Sequence, residues 1–369
     1  MTTILQVVPA LEAGGVERGT LEVGQALVEA GHRSLVMSAG GRMVPELESQ
    51  GSEHFTWPIG EKSLWTFQLV RPLRRFLQQQ RVDVIDVRSR MPAWVVWRAW
   101  SRMPAVTRPR LVTSVHGFNS VNRYSEILTR GERVVTVSDT LRKFLIAQYP
   151  RLEPERIEVI HRGIDTRDYH PGFKPSASWV TQWESAFPQL QARYVLTLPG
   201  RITRLKGHFD ALDILQGLLQ RGIPAHLLMA GGTDPRKQAY RRELEDRLSQ
   251  LGLGPHVTFT GQRSDLREIL AISDAVLSLS TQPESFGRTT LEALSLGRPV
   301  LGYDHGGVGE QLAELLPEGR IPPGQASAAI ERLAHWAGGN TPAPRWPHAW
   351  DLNTMRRRTI ELYETLAGR

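Results

Sequence analysis

The chain has 369 residues, 40% of them hydrophobic, 7% aromatic and 22% charged, the balance of an ordinary soluble globular protein, not a fibrous or disordered one. At about 150 residues per domain this length accommodates two or three domains. There is no cysteine, which excludes disulfides and thiolate metal sites, and the formal net charge is +7.

The first eight residues, MTTILQVV, carry no basic segment and run straight into a strand pattern, so they do not read as a signal peptide. No apolar run approaches the roughly 18 residues that span a bilayer. The expected location is therefore the cytoplasm. Apolar runs at 4–8, 35–37, 82–87, 111–115 and 134–137 read as buried strands, with amphipathic helical patterns at 16–30 and 65–79 between them. The alternation pauses over 161–193, where Pro171, Pro175 and Pro188 fall among polar and aromatic residues. It resumes with runs at 194–198, 226–229, 257–259, 275–279 and 299–302. A second loop, 338–347, precedes a helix at about 352–366. Strands alternating with helices imply βαβ units and parallel sheets. The expected fold is thus α/β, with two Rossmann-like domains, 1–170 and 171–351, facing across a cleft and the 352–369 helix packing back on the first. Ligands of such sheets sit outside the carboxyl ends of the strands.

Three strand-end turns carry residues suited to chemistry. After the first strand, Gly14 and Gly15 precede a helix, where small residues let backbone N–H groups approach a phosphate at the positive end of the helix dipole. The same loop serves equally as a flexible connection, and its spacing is not the G-x-G-x-x-G of dinucleotide sites. After the run at 194–198 comes Gly200-Arg201-Ile202-Thr203-Arg204-Leu205-Lys206-Gly207. An Arg fork and a Lys point charge five residues apart suit a diphosphate. The third is Pro283-Glu284-Ser285-Phe286-Gly287-Arg288, followed by Glu292 one turn inside a helix that Gly287 opens. Carboxylates only accept, so they bind sugar hydroxyls well, while free N–H groups at the helix start can hold a phosphate. A capping acid with a surface Glu gives the same pair.

Together these segments resemble the fourth family of retaining nucleotide-sugar glycosyltransferases, of GT-B architecture, whose signature is E-x(7)-E after a P-E-[SG]-F-G run. Glu284 and Glu292 have that spacing, and the likeness extends to Gly14-Gly15, the strand end at His116, Ser138, the Gly-Arg…Lys-Gly turn and Gly306-Gly307-Val308-Gly309-Glu310. The resemblance implies that Glu284 binds donor-sugar hydroxyls and Glu292 the ribose. It implies backbone contacts from Ser285, Phe286 and Gly287, and a diphosphate clamp from Arg201 and Lys206. Gly14 and Gly15 would lie under the diphosphate, and His116 would touch the sugar near its reacting face. Arg288 departs from the small or apolar residue many relatives carry there. No DxD motif is present, so metal-free stabilisation of the leaving group by Arg201, Lys206 and helix dipoles is expected. No cofactor is expected, because the nucleotide sugar, a UDP-sugar in the favoured reading, is a substrate.

The charge excess bears on the acceptor. Residues 1–175 hold 24 Lys+Arg against 18 Asp+Glu, and residues 88–143 alone hold eleven basic against three acidic. Trp94, Trp97 and Trp100 recur within that segment, either as core residues or as a membrane-facing stripe. The whole is similar to envelope enzymes that build lipopolysaccharide core. The implied partner is an anionic glycolipid acceptor, with peripheral contact at the inner face of the membrane and no nucleic acid. A sugar-nucleotide epimerase of the same fold, transfer to a soluble acceptor and, more remotely, a basic nucleic-acid-binding protein are the alternatives.

Overall fold

The structure is a computed structural model and describes every residue except Ala13, 235–237, Pro347 and Arg369. The chain divides into two compact units, Met1–Gly163 with Leu352–Arg369, and Ile164–Asp351. The division after Gly163 falls near the start of the proline-rich pause, where the sequence reading placed it at 170.

The first unit is built on β1 (Thr3–Val7), β2 (Arg33–Ser38), β3 (Glu53–Thr56), β4 (Val84–Val87), β5 (Arg110–Val115), β6 (Arg133–Thr136) and β7 (Ile157–Val159). They form one sheet in the order β3-β2-β1-β4-β5-β6-β7, parallel at each described pairing. Every residue of β1 and β4 is buried, as in largely apolar strands covered on both faces, with Gln6 and Asp86 as buried polar exceptions. The helix Leu352–Ala367 places Leu352, Met355 and Tyr363 in one core cluster with Ile4, Val84 and Val112.

The second unit repeats the plan with β8 (Tyr194–Pro199), β9 (Ala225–Ala230), β10 (Val257–Phe259), β11 (Ala275–Ser278), β12 (Val300–Tyr303) and β13 (Arg320–Ile321), ordered β10-β9-β8-β11-β12-β13 and parallel. In both units the strand order reverses beside the first strand, between β1 and β4 and between β8 and β11. That switch point leaves a crevice at the carboxyl ends, where ligands of doubly wound sheets bind. The two Rossmann-like units and their parallel sheets are those expected from the sequence.

Two local expectations are corrected, and an open one is narrowed. The pattern at 65–79 is not one helix: a 3-10 turn, Leu64–Leu69, precedes the α-helix Val70–Gln79. Pro72 lacks an N–H and its ring would clash with the carbonyl four residues back, so it fits only in a first helical turn. The pause at 161–193 contains a helix, Ala177–Ala186, capped by the Ser176 hydroxyl, which accepts from Trp179 N at 3.2 Å. Trp179 stacks on Trp183 at 5.1 Å, and Trp183 joins Leu190, Val195, Leu228 and Ile269 in a core cluster. Of the two readings left open for the tryptophans of the helix Arg90–Trp100, core packing describes Trp100, while Trp94 and Trp97 are half-buried. Trp100 is buried, and the Trp94 and Trp100 indoles donate to the Tyr124 and Pro109 carbonyls at 3.1 and 2.7 Å. The guanidiniums of Arg130 and Arg108 lie over Trp97 and Trp100 at 5.0 and 3.7 Å.

Candidate functional site

In the second unit the turns after β8 and β11 are fastened together. Thr281 N donates to Leu205 O at 2.9 Å, and Gly207, at φ +69°, caps the helix His208–Gln220. A Cβ on Gly207 would stand 2.0 Å from Leu279 O, so only glycine lets the two turns approach this closely. The approach brings Lys206 Nζ to 2.6 Å from Glu284 Oε1. Ser280 Oγ donates to the same carboxylate oxygen. The His305 ring donates from Nε2 to Ser280 O at 2.8 Å, fixing the loop from below. Burial opposes ionisation of Glu284, but the Lys206 charge, hydrogen bonds from Lys206 and Ser280, and His305 together hold its carboxyl below the usual range. Both side chains remain about one quarter exposed, so a ligand can reach the pair.

The backbone beyond Glu284 is held with similar closeness. Gly307 N donates to Glu284 O at 2.8 Å, and Gln311 Nε2 donates to Phe286 O at 2.7 Å. Cβ atoms on Gly306 and Gly307 would stand 2.4 Å from Glu284 O and 2.5 Å from Phe286 Cα. Gly287, at φ +85°, caps the helix Arg288–Ser295, leaving that helix's first N–H groups at the loop that carries Glu284 and Ser285. Phe286 is buried beneath. One turn on, Glu292 Oε1 lies 3.3 Å from Arg288 Nε. Tyr169 packs near this pair, and burial, then the Glu292 carboxylate, push its phenol up. The unusual Arg288 thus gives Glu292 a cation of its own while leaving the carboxylate further acceptor capacity. Arg201 is exposed and has no ion pair or side-chain hydrogen bond among the described residues.

In the first unit, His116 follows β5 and Gly14 caps the helix Gly15–Glu29 at φ +147°. Gly15 faces open space, with nothing within 4 Å of an added Cβ. Arg162 lies flat on Gly19, where a Cβ would meet its Nη1 at 1.7 Å, and its Nη2 is 3.1 Å from His116 Nδ1. An arginine only donates, so Nδ1 accepts and the imidazole proton sits on Nε2. Burial first, then the Arg162 and Arg88 charges, hold His116 well below its ordinary pKa, and the ring is neutral at pH 7. Arg88 is itself fixed by Asp86 at 2.8 Å. Asp86 also accepts from Ser114 Oγ at 2.6 Å and from Tyr363 OH at 2.8 Å.

Sequence reading named Glu284, Lys206, Glu292, Arg201, Ser285, Phe286 and Gly287, and the fold gathers all of these around β8, β11 and the helix Arg288–Ser295. Gly14, Gly15 and His116 belong to the first unit. It missed Ser280, His305, Arg162 and the Asp86–Arg88–Tyr363 group. The only signal for His305 was its place before the double glycine; Arg162 stood at the edge of the unread pause.

Comparison with known proteins places this geometry in a family. Residues 13–168 match the family described as Glycosyltransferase Family 4, and residues 182–341 match Glycosyl transferases group 1. The D-inositol 3-phosphate glycosyltransferase of Rhodococcus erythropolis is 29% identical over 64% of this chain and 56% of its own length. The chain spans about half the length of the curated relatives it matches. A glycosyltransferase structure from Rickettsia africae superposes with a TM-score of 0.83 at 25% identity, covering 99% of this chain and 98% of the other. Anabaena Alr3699/HepE, in complex with UDP and glucose, superposes with a TM-score of 0.79 at 21% identity, covering 99% and 100%. With a Family 4 domain followed by a group 1 domain on two Rossmann-like units, the chain belongs to the glycosyltransferases of GT-B fold.

Proposed function

We propose that this chain transfers a hexose from a nucleotide sugar, a UDP-sugar first among them, to an anionic envelope glycolipid of the lipopolysaccharide-core kind, without metal and with retention at the anomeric carbon. The Lys206–Glu284 pair at the β8/β11 switch point carries the proposal. Glu284, held ionised, accepts from donor-sugar hydroxyls. Lys206 keeps two of its three N–H donors for the diphosphate, Arg201 offers an uncommitted fork beside it, and the Gly287-capped helix start adds backbone donors. Glu292 receives the ribose. The C1–O bond to the diphosphate breaks with its electron pair going to the phosphate, whose charge these cations stabilise. The acceptor oxygen attacks C1 from the same face, and its proton passes to the departing phosphate. His116, neutral with its proton on Nε2, serves as a donor to the sugar.

The acceptor class rests on the basic first unit and on Leu64 and Trp65, which are 86% and 77% exposed. Lys62, Arg71 and Arg75 are exposed within the same stretch, the pairing of indole and cations that suits an anionic membrane interface. No helix among the described residues is long and apolar enough to cross a membrane. The relatives named for D-inositol 3-phosphate favour a second reading, a soluble phosphorylated acceptor.

A thermal-shift screen against UDP, GDP, ADP and CMP sugars, with and without EDTA, tests the donor site, since a ligand that binds only the folded state raises its stability. The expected result is a shift with one nucleotide sugar, insensitive to EDTA and lost in Lys206→Ala. The absence of any shift removes the donor assignment. Product formation with lipid-borne against soluble phosphorylated acceptors then separates the two acceptor readings.

A further inference from the structure

The first unit contains a second charged site, apart from the strand ends that carry the proposed transfer chemistry. A basin of about 650 Å³ opens between the segment leading into β6 and the segment leading into β7, and its walls carry Arg123, Arg130, Arg151 and Arg156 against the single acid Glu126. That volume lies in the ordinary range of small-molecule sites.

The four guanidiniums are held differently. Arg156 donates to the Thr129 and Gly131 carbonyls, which fixes its head group in the wall. Arg130 lies over Trp97 at 5.0 Å and reaches Glu126 only at 4.0 Å. Arg123 and Arg151 are exposed and have no ion pair or side-chain hydrogen bond among the described residues. One acid against four cations leaves an excess of three positive charges in one concave space, and a concave wall focuses such a field. Guanidinium forks match phosphate oxygens in pairs, and a diphosphate carries two to three negative charges near neutral pH.

The topology separates this basin from the chemistry. Arg130 precedes the amino end of β6, and Arg151 and Arg156 precede that of β7, whereas His116 follows the carboxyl end of β5. In a parallel sheet these are opposite ends of the strands, separated by about 13 Å for a four-residue strand. A ligand here does not occupy the crevice at the switch point.

We propose that this basin binds a phosphate-bearing ligand, with at least two phosphate groups or two phosphate headgroups side by side. The proposal is independent of the transferase reading. A lipid headgroup and a free polyphosphate offer the same chemistry, and the experiment tells them apart.

Calorimetric titration with inorganic pyrophosphate is run beside co-sedimentation with phosphatidylglycerol and with phosphatidylcholine vesicles. The proteins compared are the wild type, the double variant Arg123→Glu/Arg151→Glu, a charge-matched control Arg221→Glu/Arg242→Glu in the second unit, and Lys206→Ala. All four replaced arginines are exposed, so equal melting temperatures are expected for the two double variants. Pyrophosphate binding weakened at least tenfold in the basin variant, but less than twofold in the control, establishes a site for soluble phosphates; a separate loss in Lys206→Ala reports the donor site instead. Binding to phosphatidylglycerol vesicles alone, lost in the basin variant and kept in the control, assigns the basin to lipid headgroups. Binding of neither probe, equal binding by basin variant and wild type, or loss confined to Lys206→Ala overturns the proposal.

Discussion

Lys206 and Glu284 neutralise one another in the unliganded site, so each removal has two consequences. Lys206→Ala takes away the diphosphate donor and leaves Glu284 without the cation that offsets its burial. Glu284→Gln keeps the shape and removes the charge. Either variant is expected to lower kcat/KM by about 10²- to 10³-fold, the scale of losing one preorganised charge-stabilising group. Each should keep a folded circular-dichroism spectrum. Steady-state kinetics with the donor identified by thermal shift checks this, and full activity in either variant would remove the pair from the mechanism. His116 makes a different prediction. Burial and two neighbouring guanidiniums keep it neutral through the physiological range, so activity above pH 6 should show no limb from its titration. Arg162→Ala removes one of those charges and opens the ring to water; both effects raise the His116 pKa toward 6.5. The imidazole resonance, followed by NMR against pH, should move upward in that variant.

At the level of elements, glycine is required where two loops meet and dispensable where nothing opposes a side chain. Gly207→Ala would place a methyl group 2.0 Å from the Leu279 carbonyl at a left-handed φ of +69°, forcing the β8 and β11 turns apart. A stability loss of about 1–3 kcal/mol is expected, together with a loss of activity from separating Lys206 and Glu284. Gly15→Ala meets open space and should change stability by less than about 0.5 kcal/mol. Urea unfolding of the two variants side by side measures the difference. Two buried histidines of the second unit set its acid tolerance. His208, at the start of the helix His208–Gln220, and His226, in β9, are held neutral by burial with pKa values lowered to about 4 from an ordinary 6.5. The unfolded chain therefore binds protons that the folded unit refuses. Stability present above pH 6.5 is lost as pH falls toward 4, at a slope of up to about 1.4 kcal/mol per pH unit for each histidine. Urea midpoints at pH 7, 5.5 and 4.5 should fall in that order.

For the molecule as a whole, the sequence announced its architecture through buried parallel strands, because a strand covered on both faces is mostly apolar. β10 appears at the residues its apolar run marked, 257–259. β3 escaped notice because its residues, Glu53–Thr56, are only partly buried at the sheet edge, where nothing demands an apolar pattern. The helix Ala177–Ala186 was hidden by the prolines that flank it, Pro175 and Pro188, although Trp179, Trp183 and Phe187 repeat at the spacing of one helical face. The β8/β11 site was readable because its chemistry lies in two short runs. The Asp86 network was not. Its partners Ser114 and Tyr363 lie 28 and 277 residues away, and Asp86 itself sits inside an otherwise apolar run. Tyr363→Phe removes one of the donors to this buried carboxylate, and a loss of about 1–3 kcal/mol is expected, visible as a lower urea midpoint for the first unit.

The second unit is one continuous stretch of chain, while the first is interrupted by it and completed by the helix Leu352–Ala367. On the ribosome, therefore, the unit that begins first is finished last. Domains emerging at about 5–20 residues per second fold as units once complete. Ile164–Asp351 can close while Ile4, Val84 and Val112 still lack the side chains of Met355 and Tyr363 above them. Through all of that time Asp86 and Arg88 lack the Tyr363 hydroxyl that reaches them in the finished unit. The tyrosine hydroxyl that completes their burial is thus the closing contact of a domain whose first strand was made before any other.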